Sequence, residues 1–370
     1  MKLNANYDIH DRTIDANRKL NIFEKFFMLF INDTRDTPIA WLILKITAFM
    51  LPVLFYIVMP LFYPFINSTT SVGWFNTTID FLGNHPFNYY VAGAYLAMMV
   101  FFFAPYVLML HNISHRKFYR KPFRWMNYYP TWLMGMMFGQ SPESYYSHHI
   151  WMHHTENNLL PDRSSTLPFR RDSRWDFTKY ITRFLFFGLP DCAIFMFGKK
   201  RYKVVTKLII GETVYFTLAG FALYNNLYIG LTIFVIPLLI ARFGMMAGNW
   251  GQHAFVDIND PNNCHLNSIT CINSSYNQRG FNDGYHISHH LKGSRHWSDH
   301  PAELVNNRKE YIKQKAIVFK DMDFFLVWLN LMMKRHKYLA TKFVQLDDKN
   351  PLSEQEVLDL FEERLQPYKE

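Results

Sequence analysis

The chain has 370 residues, 49% of them apolar and 18% aromatic, with a formal net charge of +9. Such aromatic content suits membrane and interfacial surfaces, and the basic residues flank apolar segments instead of forming a binding stripe, which argues against a nucleic-acid groove. The only cysteines are Cys192, Cys264 and Cys271, without a CxxC pair, so neither a disulfide scaffold nor a zinc ribbon is expected.

The polar N-terminus, MKLNANYDIHDRT, has no signal-peptide core, and the first apolar segment is read as the membrane-targeting element. Four segments reach the roughly 20 residues that a bilayer crossing needs: 39–64, 88–110, 205–224 and 227–247. Pro52 and Pro60 are expected to kink the first. The link over 66–88 has no Lys or Arg and carries the sequons Asn67-Ser68-Thr69 and Asn76-Thr77-Thr78, which places it in the lumen. Basic clusters stand on the opposite side, at Arg116, Lys117, Arg120, Lys121 and Arg124, and again at Lys199, Lys200, Arg201 and Lys203. They fit the positive-inside rule and attraction to anionic headgroups. The stretch 184–198, interrupted by Pro190 and Asp191, reads as interfacial or re-entrant. The third and fourth segments meet at Asn225-Asn226, a lumenal turn if both termini are cytosolic. Residues 323–333 are too short to span and read as lying along the membrane surface. Ser353 followed by Glu356 predicts a capping box opening a helix over 353–366. The expected fold is an all-α integral membrane protein with four transmembrane helices and a mostly helical cytosolic cap. Its parts are a cytosolic segment over 1–38, a membrane domain over 39–300 and a cytosolic helical segment over 301–370.

Ten of the sixteen histidines fall in four clusters beside these segments: HNISH (111–115), SHHIWMHH (147–154), NWGQH (249–253) and HISHH (286–290). Neutral imidazole is the commonest transition-metal side-chain ligand, and spacings of three or four put rings on one helix face. The candidate ligands are His111, His115, His149, His153, His154, His253, His286, His289 and His290, with Asn249 as an amide that holds a water. This set exceeds the four ligands of a tetrahedral zinc and suits two five- or six-coordinate ions. Iron, copper, nickel and zinc all remain open on donor type alone. No catalytic residue beyond the ligands is singled out. His148 reads as a supporting residue. Glu156, Asn157, Asp162, Asn282 and Asp283 are candidate acceptors for the second N–H of the rings, while Tyr285 and Trp250 read as aromatic core. Glu212 and Arg242 lie at matching depth inside the third and fourth segments and are expected to pair.

The boxes HNISH, HIWMHH and HISHH, in that order, resemble those of the integral-membrane fatty acid desaturase family, over about 40–300. His253 and Asn249 resemble that family's further histidine and its water-holding asparagine. The resemblance implies a cytosol-facing centre of two iron ions beneath an acyl tunnel, with O2 as co-substrate. It further implies a lipid acyl substrate, as acyl-CoA or membrane lipid, and a double bond as product. The related sterol-desaturase and hydroxylase group crowds its boxes more closely than the long gap here. The second box, with three residues between His149 and His153, is longer than in many members and leaves open whether His148 or His149 is the ligand. No HPGG-type haem signature occurs (His85-Pro86 continues Phe-Asn), so a separate donor is expected, such as cytochrome b5 with its reductase or a ferredoxin. The endoplasmic reticulum is the expected membrane. A hydroxylase with the same metals is the nearest rival. A non-enzymatic metal-binding membrane protein is another, against which the clusters lie outside the spans.

Overall fold

The computed structural model describes residues 1–67 and 83–368. Both sequons lie outside the described residues, save the backbone of Asn67. Five long helices organise the rest: α1 (Thr37–Asn67), α2 (Tyr89–His115), α3 (Arg174–Gly198), α4 (Tyr202–Asn225) and α5 (Leu227–Gln252). Side-chain caps set the starts of several of them. The Asn88 side chain accepts from the backbone N–H of Tyr90 and Val91, and Asn226 caps Tyr228 and Ile229 in the same way. Each asparagine thereby satisfies donors that the first helical turn leaves unpaired. Pro52, Pro60 and Pro64 all lie inside α1.

All five helices are long and apolar enough to cross a bilayer, one more than the sequence suggests. The difference is α3. Its apolar half is the stretch 184–198, but a polar half precedes it, starting where Ser173 accepts from the Asp176 N–H. Pro190 is accommodated within the helix, and Asp191 pairs with Arg183 at 3.0 Å. Apolar side chains such as Phe49, Phe55, Phe101 and Phe216 stand exposed on α1, α2 and α4, as expected of a surface solvated by lipid.

Beyond the ends of the long helices lies a body of short helices, loops and one small sheet. Strand β1 (Thr270–Ile272) pairs in parallel with β2 (Val318–Lys320), in the register Thr270 to Val318. Cys271 also receives a bond from its other side, its N–H donating to the Gly284 carbonyl at 2.7 Å. The sheet so anchors the turn that leads into the last histidine box. The N-terminal segment covers the same region: Leu3 and Ile9 pack with Tyr285 and Ile287, and Tyr285 Oη donates to Asp11 at 2.6 Å. The helix α6 (Phe324–Met332) is too short to span and lies against α5, burying Phe324, Val327 and Leu331. The capping box at Ser353 and Glu356 opens α7 (Glu354–Arg364).

The contact between α5 and α6 depends on Gly251, where a Cβ atom would come within 2.2 Å of the Phe324 carbonyl oxygen. Gly251→Ala therefore forces α6 away or shifts the end of α5, at a cost of about 1–3 kcal/mol. A clear fall in the thermal unfolding midpoint of the purified protein is expected. An unchanged midpoint would contradict this close approach.

Candidate metal centre

The four histidine clusters converge. His111 and His115 occupy the last turn of α2, and His253 follows the end of α5. The second box lies in a helical segment that widens into a π turn over His149–His153. The third forms the short helix His286–Leu291. Together the rings make two groups, each with ligand atoms within 4.8 Å of one another. The first holds His111, His115, His149, His154 and His289; the second holds His153, His253, His286 and His290.

The division differs from the single-face geometry that the spacing suggests. His149 and His153 part company, because the π turn aligns residue i with i+5 and so sets His149 beside His154. Adjacent residues on a helix point about 100° apart, and the doublets use this. His154 joins the first group and His153 the second, as His289 and His290 do.

Facing Nε2 atoms are 2.8–3.1 Å apart in the first group and 3.0–3.2 Å in the second. Two nitrogens bound at right angles to one ion at about 2.0–2.1 Å would be about 3 Å apart. The outer nitrogens show which atom is free to bind. His111 Nδ1 is 2.7 Å from Asp283, His153 Nδ1 is 2.7 Å from Asp162, and His253 Nδ1 is 2.8 Å from the Asn267 carbonyl. His290 Nδ1 is 2.9 Å from Asn157 Oδ1. Each of these partners accepts, so those rings carry their proton on Nδ1 and present a bare Nε2 lone pair inward. The buried His153 Nε2 has no hydrogen-bond partner. Converging lone pairs shut away from water repel one another, and a cation relieves this; the donor set therefore fits metal ions.

Burial disfavours the charged form of several of the rings. It holds His149, His154, His286, His289 and His290 well below the usual imidazole range, with neighbouring rings adding to the effect. Burial likewise pushes His253 down to about 3. For Asp162, burial opposes ionisation, but His153 and Ser164 outweigh it and hold the carboxyl at about 2.

Several other sequence candidates fall elsewhere. His148 joins neither group and sets its ring edge-on to Phe184, at a centroid distance of 5.4 Å. Asn249 is buried and gives its amide hydrogens to the Ser164 carbonyl and to Tyr180 Oη. Of the five proposed acceptors, Asn157, Asp162 and Asp283 meet rings, whereas Glu156 pairs with Lys199 and Asn282 donates to backbone carbonyls. Asn267 was not among the candidates, since nothing in its sequence neighbourhood ties it to His253. Tyr285 and Trp250 are buried core. Glu212 and Arg242 do not form an ion pair: Glu212 accepts from Ser141 Oγ, and Arg242 donates to the Leu185 carbonyl at 2.6 Å. A third group, Asp33, Asp36 and His296, is already held by Arg35 and Arg116 and forms an ion-pair network.

An apolar cavity of about 730 Å³ begins at His111, His149 and His153 and runs between α2 and α5, past Val107, Leu238 and Phe243. Its volume lies within the usual range for ligand sites. A family model described as fatty acid desaturase matches residues 85–320, which include every one of these histidines. The chain belongs to the fatty acid desaturase family. No curated protein and no solved structure matches it. For this desaturase-family chain, two carboxylates named together by sequence make unlike predictions. Asp162→Ala strands His153 Nδ1 and Ser164 in the interior and should cost about 2–5 kcal/mol. Glu156→Ala removes a partner of a half-exposed lysine and should cost under about 1 kcal/mol. Thermal midpoints of the two variants check this, and equal shifts would contradict it.

Proposed function

We propose that the protein is an O2-dependent desaturase that introduces a double bond into a lipid acyl chain at a centre of two iron ions. The observation that carries this reading is the junction of the two histidine groups with the apolar cavity. His111, His115, His149, His154 and His289 would hold one ion. His153, His253, His286 and His290 would hold the other, with Asn249 acting through a water. Bound there, the ions supply O2 reduction and the removal of hydrogen from unactivated methylenes. Across the reaction –CH2–CH2– becomes –CH=CH–, and O2 with two electrons and two protons becomes two waters. The electrons come from a separate donor, such as cytochrome b5 with its reductase or a ferredoxin.

The chain's own contribution is placement. Val107, Leu108 and Phe243 line the cavity and exclude water, holding a flexible chain beside the rings so that two adjacent methylenes meet the centre repeatedly. Asp162, Asp283, Asn157 and the Asn267 carbonyl fix the ring orientations.

A four-crossing topology in the endoplasmic reticulum, with the site and both termini cytosolic, belongs to the same proposal. Helices α3, α4 and α5 separate His153 from His253, whose rings are 5.1 Å apart. Three crossings would put them in different compartments; two leave them together. α3 is the best candidate to stay on one side, as it carries Arg174, Asp176, Lys179, Arg183 and Asp191. The contact of Asp36 with His296, at 2.9 Å, supports two further crossings by α1 and α2.

Two outcomes are expected. Yeast microsomes containing the wild type should gain an unsaturated lipid, two hydrogens lighter than its precursor, absent with His154→Ala at equal protein level. The purified His154→Ala and His289→Ala proteins should also lose metal, whereas His148→Ala keeps it. A product heavier by one oxygen would instead establish the hydroxylase, and full metal content in His154→Ala would overturn the ligand assignment. For topology, microsomal protein should shorten on endoglycosidase treatment and Asn67→Gln/Asn76→Gln should not; an untreated wild type already migrating with the double variant would count against a lumenal 66–88 link.

A further inference from the structure

A second cavity, of about 430 Å³, adjoins the apolar one, and the two share Gln140, Ser141 and Tyr145. Their linings differ. The second carries Lys117, Arg124 and Lys207, which are exposed and form no ion pair among the described residues. Arg116 also lines it but is committed to Asp33 and Asp36. The single carboxylate there, Glu143, accepts from Trp132 Nε1 at 3.1 Å. Three free cations thus face one anion. At the junction Gln140 is only 4% exposed, and its Oε1 has no hydrogen-bond partner.

The level of this cavity narrows the choice of ligand. Arg124, Asn127 and Tyr128 line one side of it; Tyr128 and Trp125, next to Arg124 in the chain, are large amphipathic rings left exposed. Tyr129, next in the chain, places its hydroxyl 2.6 Å from Thr47 Oγ1, well inside α1. Trp and Tyr favour the headgroup level of a bilayer, and basic residues near helix ends meet lipid phosphates there. The rim of the apolar cavity carries exposed Val100, Leu239, Phe243 and Phe325 and opens toward the lipid.

We propose that the second cavity seats the phosphate of a bilayer phospholipid among Lys117, Arg124 and Lys207, while its acyl chain passes Gln140 into the apolar cavity. The substrate is then a chain still attached to its membrane lipid. This rests on the desaturase reading for its meaning, but binding itself needs neither turnover nor metal. A soluble acyl thioester bears phosphate too, and the test separates the two sources.

Purified full-length protein would be given equal amounts of phosphatidylglycerol and diacylglycerol with identical chains, and retained lipid read by native mass spectrometry. Wild type should keep one phosphatidylglycerol in preference to diacylglycerol. K117Q/R124Q/K207Q, neutral changes at exposed positions, should lose that preference about tenfold or more, with an unchanged thermal midpoint. An equal preference in the variant overturns the proposal. So does palmitoyl-CoA that displaces the phospholipid from wild type at equal concentration, since a soluble carrier would then own the cations. The same binding by His154→Ala separates this site from the desaturase reading: a protein that binds phospholipid yet makes no unsaturated product loses the reading of function and keeps the site.

Discussion

Nine imidazoles must stay neutral and point inward at once, and the rest of the structure serves that constraint. A protonated ring neither binds metal nor tolerates eight like neighbours, so the rings are kept out of water. Burial alone leaves their outer nitrogens without partners. Acceptors meet four of those nitrogens, and two come from far along the chain, Asp283 lying 172 residues from His111 and Asn157 133 residues from His290. The small sheet and the N-terminal segment have their role here. They immobilise the turn before His286, and with it the only box that supplies rings to both groups alongside the second.

The long helices solve a different problem with the same residues. A membrane helix must satisfy its backbone internally and has little use for ionisable groups at its centre. Its ends are free of that restriction. His111 and His115 at the end of α2, and His253 after the end of α5, stand where apolar segments give way to polar structure. The apolar cavity runs back from that boundary between the same two helices, so one pair of elements carries both convergent histidines and the walls of the apolar cavity.

Much of this was legible in the sequence. The four histidine clusters, the long apolar segments at 39–64, 88–110, 205–224 and 227–247, and the capping box at Ser353 are local patterns, and each appears where local physics puts it. What stayed hidden depended on contacts between distant residues or on departures from regular helix. The partition of the rings turned on a π widening that periodicity does not reveal. The full length of α3 was missed because its first half is charged, and charge marks a poor membrane segment without marking a poor helix. Glu212 and Arg242 lie at matching depth, yet Ser141 and the Leu185 carbonyl reach them first. Depth along a helix is a sequence property; the azimuth at which a side chain leaves it, relative to another helix, is not.

The π turn over His149–His153 also bears on the length of the second box. An extra residue in an α-helix ordinarily rotates everything after it by about 100°, which would swing a ligand away from its partners. Absorbed as a wider turn, the same residue leaves the following helix in register. His154 Nε2 accordingly reaches His149 at 3.1 Å across five positions. A site built this way accommodates a surplus residue in its second box, because the helix stores it as girth and the donor atoms still meet.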